Sequence, residues 1–284
     1  MKKGELLDRE GIVTEEQRDR YRRDGHLVIS QLLSQAEVAT ACPALFATAN
    51  REHQKLNDYE RSVGASGSRF VYDLRQIDPE VWQFIASPRL AQWAAELLDT
   101  DRVRILHYNC FFKPAGGKPT PWHQDYLFIP LEAEKLIAAW VPLVNLTPEM
   151  GLLTFASGSH EVKTADFSAV NQYSPSQLEQ VLAERDLRLT TVGNMQVGDV
   201  SFHSSLTLHG ALANRSDRMR AAVAISYYAD EARIQDPEQS NSAAALEAIT
   251  YRQHFLREYF PNLQPGDLAQ TPEHPIVYTR LIED

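Results

Sequence analysis

Cysteine is nearly missing from this sequence: Cys42 and Cys110 are the only two among 284 residues. Two thiols without metal-ligand spacing make neither a disulfide framework nor a thiolate metal site, so both are expected to be free. Long apolar runs are missing as well. No stretch approaches the ~20 residues that a bilayer span requires. The start, Met1-Lys2-Lys3-Gly4-Glu5, runs into charge rather than into the apolar core of a secretory leader. A cytoplasmic location is the expectation. Positive charge is in deficit, with 28 basic against 38 acidic residues and a formal net charge of −10. Nucleic acid and anionic membrane surfaces attract the opposite balance, so neither is an expected partner. A dense basic run, Arg18-Asp19-Arg20-Tyr21-Arg22-Arg23, reads as the solvated face of a short helix. Repeats, low-complexity blocks and Pro/Gly-rich linkers are lacking too. What is there is an ordinary globular composition, 43% hydrophobic and 23% charged, long enough to bury a sizeable core. A small molecule is the expected partner, and the oligomeric state is left open.

The first hundred residues carry helix signals. Thr14-x-x-Gln17 and Ser34-x-x-Glu37 fit capping boxes, and Ser87-Pro88 fits an N-cap followed by proline at the first helical position. The stripe Leu90, Trp93, Ala94 and Leu97 then predicts core packing. From about Arg102 the texture changes to short β-branched and aromatic segments at 102–113, 121–130, 136–146 and 152–156. A helix is expected at 175–186, opened by Ser174-Pro175. Strand texture returns at 187–192, 195–203, 206–209 and 219–228, and a final helix at 242–260 is ended by Pro261. One domain over 1–284 is expected, with a helical part to about 100, a β core over 101–230 and a helical extension over 231–284. Composition supports a β-rich α+β chain of antiparallel strands with flanking helices. Some eight short strands wrapped by helices suggest a double-sheet jelly roll or a related barrel, whose mouth suits a concave small-molecule site, but the jelly-roll topology itself needs the resemblance given below.

One constellation carries chemistry. His123-Gln124-Asp125 sits at the start of a predicted strand, after the turn Lys113-Pro114-Ala115-Gly116-Gly117-Lys118-Pro119. Side chains alternate along a strand, so residues 123 and 125 point the same way. Alone, such a pair reads as two polar residues on a surface strand. Its company changes that reading: His209-Gly210 lies just before another strand, and Arg220 heads the strand Met219–Tyr228. Two imidazoles and a carboxylate on one face of an iron leave the opposite face open. Alternation puts Arg220, Ala222, Ala224, Ser226 and Tyr228 on one face, where an inward guanidinium would need an anion such as a carboxylate. Gly210 fits a close backbone approach. His203 is the main competitor as second histidine ligand and is expected to be structural. His107 is expected to be a satisfied core imidazole, and His160 to hydrogen-bond within its own loop.

The ordered segments Trp122-His123-Gln124-Asp125, Ala139-Trp140-Val141-Pro142-Leu143, Glu149-Met150-Gly151-Leu152-Leu153, Gly158-Ser159-His160, Gly198-Asp199 and His209-Gly210 through Asn214 to Arg220 resemble the phytanoyl-CoA dioxygenase family over about residues 15–230. That resemblance implies a double-stranded β-helix (jelly roll, cupin-like) core and an Fe(II)- and 2-oxoglutarate-dependent oxygenase that consumes O₂. It implies His123, Asp125 and His209 as iron ligands and Arg220 as the partner of the distal 2-oxoglutarate carboxylate. Lys113, Trp140 and Tyr108 fall on strands that line the cosubstrate side in relatives. The sequence departs from the pattern at Ala211, where many members carry a serine, and at Ala156-Ser157-Gly158, where a proline is common.

The expected reaction is hydroxylation, desaturation or cyclisation of a small metabolite with release of succinate and CO₂. Asp125 argues against halogenation, because halogenating relatives have a small residue there. The competing reading is a jelly-roll metal protein with hydrolase or isomerase chemistry, or with a binding role alone. Region 57–70 is polar enough to serve as a lid, with Arg61 and Arg69 suited to an anionic substrate; region 230–245 reads as an ordinary surface loop.

Overall fold

A computed structural model of the chain describes residues 12–55, 68–71, 77–161, 175–238 and 246–280. Most of the candidate lid at 57–70, Arg61 included, lies outside the described residues, as do 239–245; the side chain of Arg69 is likewise not described.

Both capping boxes form. Helix α1 (Glu15–Asp24) starts with Gln17 N donating to Thr14 Oγ1 at 3.3 Å and Thr14 N donating to the Gln17 side chain at 2.8 Å. Helix α2 (Gln35–Lys55) starts with the same reciprocal pair between Ser34 and Glu37, at 2.7 and 3.1 Å. After β1 (His26–Ile29) and β2 (Ser68–Val71) come α3 (Pro79–Ile85) and α4 (Pro88–Leu97). Leu90, Trp93 and Ala94 of the predicted stripe are fully buried, and α4 packs against the large sheet.

The remaining strands are β3 (Arg102–Lys113), β4 (Thr120–His123), β5 (Leu136–Pro142), β6 (Leu153–Ser157), β7 (Arg188–Thr191), β8 (Val200–Ser204), β9 (His209–Ala211), β10 (Arg220–Ala229) and β11 (Ile276–Thr279). Helix α5 (Pro175–Glu184) precedes β7, and α6 (Leu246–Tyr259) precedes β11. Among the described residues the strands form two antiparallel sheets. The large one runs β1-β8-β5-β10-β3-β11 with β2 also on β3, and the small one runs β4-β9-β6-β7. This is the expected β-rich jelly roll with flanking helices.

Alternation along β10 sorts the two faces of the large sheet. Ala221, Val223, Ile225 and Tyr227 join the helices α2 to α4 in one apolar core outside the sheet. Ala222 and Ala224 point inward and meet Trp140 of β5 with Leu153 and Phe155 of the small sheet. A third core joins Tyr228 to the C-terminal segment through Phe255 and Phe260.

Three strands, β1, β2 and β11, lie outside the expected strand segments, β2 at the end of the candidate lid. β1 pairs with β8 and β11 pairs with β3, so the expected helical end regions each lend a strand to the large sheet. Their four-residue segments take their partners from far along the chain, and no local pattern announces that. Strand β4 is shorter than the predicted 121–130: it ends at His123, and Asp125–Phe128 is a turn of 3-10 helix.

Candidate active site

Strand pairing brings the two expected histidines together. His123 closes β4, His209 opens β9, and the two are direct partners across the ladder, with ring centroids 4.3 Å apart. Gly210, next along β9, lies so close to Thr120 that a Cβ would sit 3.1 Å from its carbonyl oxygen, a tight approach. Asp125 is already in the 3-10 turn, but Gln124 keeps an extended backbone (φ −120°, ψ 132°), so alternation carries one residue beyond the strand. Gln124 therefore points away, buried and donating to the Leu206 carbonyl, while Asp125 turns back beside His123. One ligand atom from each of His123, Asp125 and His209 lies within 4.8 Å of the others.

Both imidazoles are latched the same way. His123 Nδ1 is 2.8 Å from the Pro121 carbonyl and His209 Nδ1 is 2.9 Å from the Thr207 carbonyl, each two residues upstream. A carbonyl only accepts, so Nδ1 carries the hydrogen and Nε2 presents its lone pair. Burial first, and His123 next, push His209 down to about 3, which keeps it neutral. At His123 burial acts in the same direction, but the Asp125 carboxylate and the Pro121 carbonyl together raise its pKa. Burial alone would raise Asp125; the imidazoles of His209, His123 and His203 around it hold it well below the usual carboxylate range. Two imidazole nitrogens and one carboxylate are a donor set that suits a divalent first-row metal.

Deeper in the barrel lies a second constellation. Arg220 heads β10 directly opposite Lys113 at the end of β3, and the two are only 2% and 1% exposed. Arg220 Nη1 donates to the Gly151 carbonyl at 2.7 Å, its Cζ lies 5.8 Å from the Trp140 ring centroid, and its Nε has no hydrogen-bond partner among the described residues. Lys113 Nζ donates to Leu212 O at 2.9 Å and to Thr120 Oγ1 at 3.2 Å. Burial, then the neighbouring guanidinium, push Lys113 down to about 7; burial brings Arg220 down to about 10. Among the described residues no carboxylate pairs with either. Two buried cations side by side with open donor capacity make a receptor for an organic anion.

Of the remaining expected site residues, Trp140 lies on the inner face beside Arg220, but Tyr108 does not. Tyr108 pairs with Ile225 and is packed in the core outside the large sheet. It lies an odd number of positions from Lys113 on one strand, so the pleat turns it to the other face. Asn109 takes the inner position, with Oδ1 buried and without a partner among the described residues.

Other residues gain roles that the sequence did not assign. Gly151 has φ +72°, and a Cβ there would stand 2.1 Å from Leu212 O. It thus lets the loop that receives Arg220 lie against the loop that receives Lys113. Asn214 Nδ2 donates to the carbonyls of Lys113, Pro114 and Arg218, tying the β3 end to the turn before Arg220. His160 bonds the Arg22 carbonyl at the end of α1 at 2.8 Å, not its own loop as expected, because the turn carrying it packs on that helix end. His107, on the inner face, meets Ser226 Oγ at 3.3 Å. His203 stays outside the three-residue ligand group but faces Asp125.

The fold is that of non-haem iron oxygenases that use 2-oxoglutarate, and the family match puts the chain in that class. Within that class the chain belongs to the phytanoyl-CoA dioxygenase (PhyH) family, whose model matches residues 21–222. The human peroxisomal phytanoyl-CoA dioxygenase is 25% identical over 236 residues, covering 76% of this chain and 68% of that protein. The ectoine dioxygenase of Bordetella bronchiseptica is 26% identical over 258 residues, covering 83% of this chain and 81% of that protein. A probable alpha-ketoglutarate-dependent hypophosphite dioxygenase of Stutzerimonas stutzeri is 29% identical over 138 residues, and that match spans 46% of this chain and about half, 47%, of the relative. Among solved structures, the carbocyclase SnoK from nogalamycin biosynthesis superposes with a TM-score of 0.73 at 23% identity, covering 93% of this chain and 96% of that one. No helix among the described residues is long and apolar enough to cross a membrane.

Proposed function

We propose that His123, Asp125 and His209 hold iron(II), that Arg220 and Lys113 anchor 2-oxoglutarate, and that the chain oxidises a small-molecule metabolite with release of succinate and CO₂. Hydroxylation is the default outcome; desaturation or ring closure needs only a different substrate pose over the same centre. One observation carries the reading: a metal-ligand set and a pair of unneutralised buried cations share the interior of one jelly roll.

Bound iron would supply the oxidising chemistry with O₂ and 2-oxoglutarate. The chain's own residues bind and orient. Asp125 brings the negative charge, and the latched imidazoles of His123 and His209 bring lone pairs that need no rearrangement. Arg220 offers a planar fork to the distal carboxylate, held between the Gly151 carbonyl and the Trp140 ring. Lys113 adds a second positive charge opposite Arg220. Ala222 and Ala224, small and inward, pack beside Trp140.

Adding iron(II) and 2-oxoglutarate to the folded protein without oxygen should give a visible iron-to-2-oxoglutarate charge-transfer band. Folded protein without that band would overturn the proposal. Succinate release across a set of small acids, amines and lipids would then define the substrate class.

A further inference from the structure

The two oxygens of Asp125 face different neighbours. Oδ1 lies 3.4 Å from His123 Nε2 and 3.8 Å from His209 Nε2, whereas Oδ2 lies 3.4 Å from Nε2 of a third histidine, His203. His203 belongs to β8 and is held on both sides, opposite His26 of β1 and Ala138 of β5. Its side chain is 3% exposed, and its ring lies 4.6 Å from that of His209 and 5.4 Å from that of Phe155. Nδ1 of this ring is buried and has no hydrogen-bond partner among the described residues.

Proton placement follows from these neighbours. An ionised carboxylate only accepts, and Nδ1 of His203, unlike Nδ1 of His123 and His209, has no carbonyl to take its hydrogen. A buried N–H without a partner is rarer and less tolerable than a buried lone pair. The hydrogen therefore belongs on Nε2 of His203, the reverse of the arrangement at His123 and His209. We propose that His203 is a positioning residue: it donates from Nε2 to Asp125 Oδ2 and so leaves Oδ1 alone to face the metal position. This inference rests on the metal centre proposed above. Asp125 sits at the start of a 3-10 turn with 30% of its side chain exposed, so its backbone does not fix which oxygen points inward. His203, on an interior strand of the large sheet, does. A one-oxygen carboxylate keeps coordination positions open for the cosubstrate and O₂.

The test uses the full chain without metal and cobalt(II) as the probe. The unmodified protein should bind cobalt(II). His203→Leu should weaken that binding about 10- to 100-fold, the range found when partners of metal ligands are removed. It should also change the cobalt visible spectrum. His203→Gln keeps an N–H donor and should restore most of the affinity and the original spectrum. Nitrogen NMR of the histidine rings in the unmodified metal-free protein should show His203 with hydrogen on Nε2 and His123 and His209 with hydrogen on Nδ1, a readout that does not depend on a variant folding. A folded His203→Leu protein that matches the unmodified one, equal losses in the two variants, or hydrogen on Nδ1 of His203 would overturn the proposal. An unmodified chain that binds no cobalt would overturn the metal centre itself and this inference with it.

Discussion

The histidine corner and the cation pocket share one barrel interior but are built on opposite principles. At the corner the imidazoles of His123 and His209 are each latched to a carbonyl, and Asp125 is ringed by three imidazoles. In the pocket Arg220 and Lys113 stand against each other with no counter-charge among the described residues. Buried like charges destabilise the fold that holds them unless a partner neutralises them. The corner is a finished geometry; the pocket is completed only when an anion arrives. On the proposed reading, preorganisation would serve the metal that stays, and uncompensated charge the cosubstrate that is consumed and replaced at every turnover.

Breaking the corner should have the largest effect. Asp125→Ala removes the ionised ligand and should abolish both metal binding and succinate release, measured by metal content and product assay. Arg220→Met strikes the other half. Loss of a charge-assisted bidentate contact, worth about 1.5–3 kcal/mol, should weaken 2-oxoglutarate binding on the order of 10- to 100-fold while metal affinity stays close to that of the parent. Equal losses of metal and cosubstrate would mean that the two regions are not separable.

Gly151→Ala probes the wall between the two cation loops. Its φ of +72° and the Leu212 oxygen 2.1 Å from the new Cβ predict strain of at least about 1–2 kcal/mol. Thermal unfolding should come earlier, and 2-oxoglutarate affinity should fall with it as Arg220 loses its carbonyl.

A subtler test is pH. Lys113 is pushed down to about 7 in the fold, against about 10.4 for a free lysine, so between those values the folded state holds fewer protons than the unfolded one. The contribution of Lys113 to stability should therefore rise as pH rises through that window, seen as the difference between the parent and Lys113→Met. Its charge, and with it 2-oxoglutarate affinity, should decline over the same rise, and Lys113→Met should lose that decline. The smallest effect belongs to Tyr108→Phe. On the outer face of β3 it should leave cosubstrate affinity unchanged, whereas Asn109→Ala on the inner face should not.

Legibility in the sequence tracked distance along the chain. Helix starts at Thr14 and Ser34, the long strands β3 and β10, and the inward set Arg220, Ala222 and Ala224 all follow from local spacing, and the structure places them so. The expectation for Tyr108 rests on its strand alone, and the alternation from Lys113 turns it outward. What no local pattern carried was pairing across the chain. β1, β11 and the approach of His203 to Asp125 depend on which segments become neighbours in the sheets. Asp125 itself keeps its expected direction for a different reason, the extended Gln124 rather than a continuing strand.

The donor set of His123, Asp125 and His209 has one more outcome. Two imidazoles and one carboxylate fix the type of donor, and donor type alone does not favour iron(II) over its neighbours. Divalent ions would then rank there by their intrinsic order, with iron(II) behind cobalt, nickel and copper. Occupancy during synthesis would follow supply rather than selection, and protein isolated without added iron should carry a mixture. On the proposed reading, the donor set would leave the choice of metal to the cell's supply.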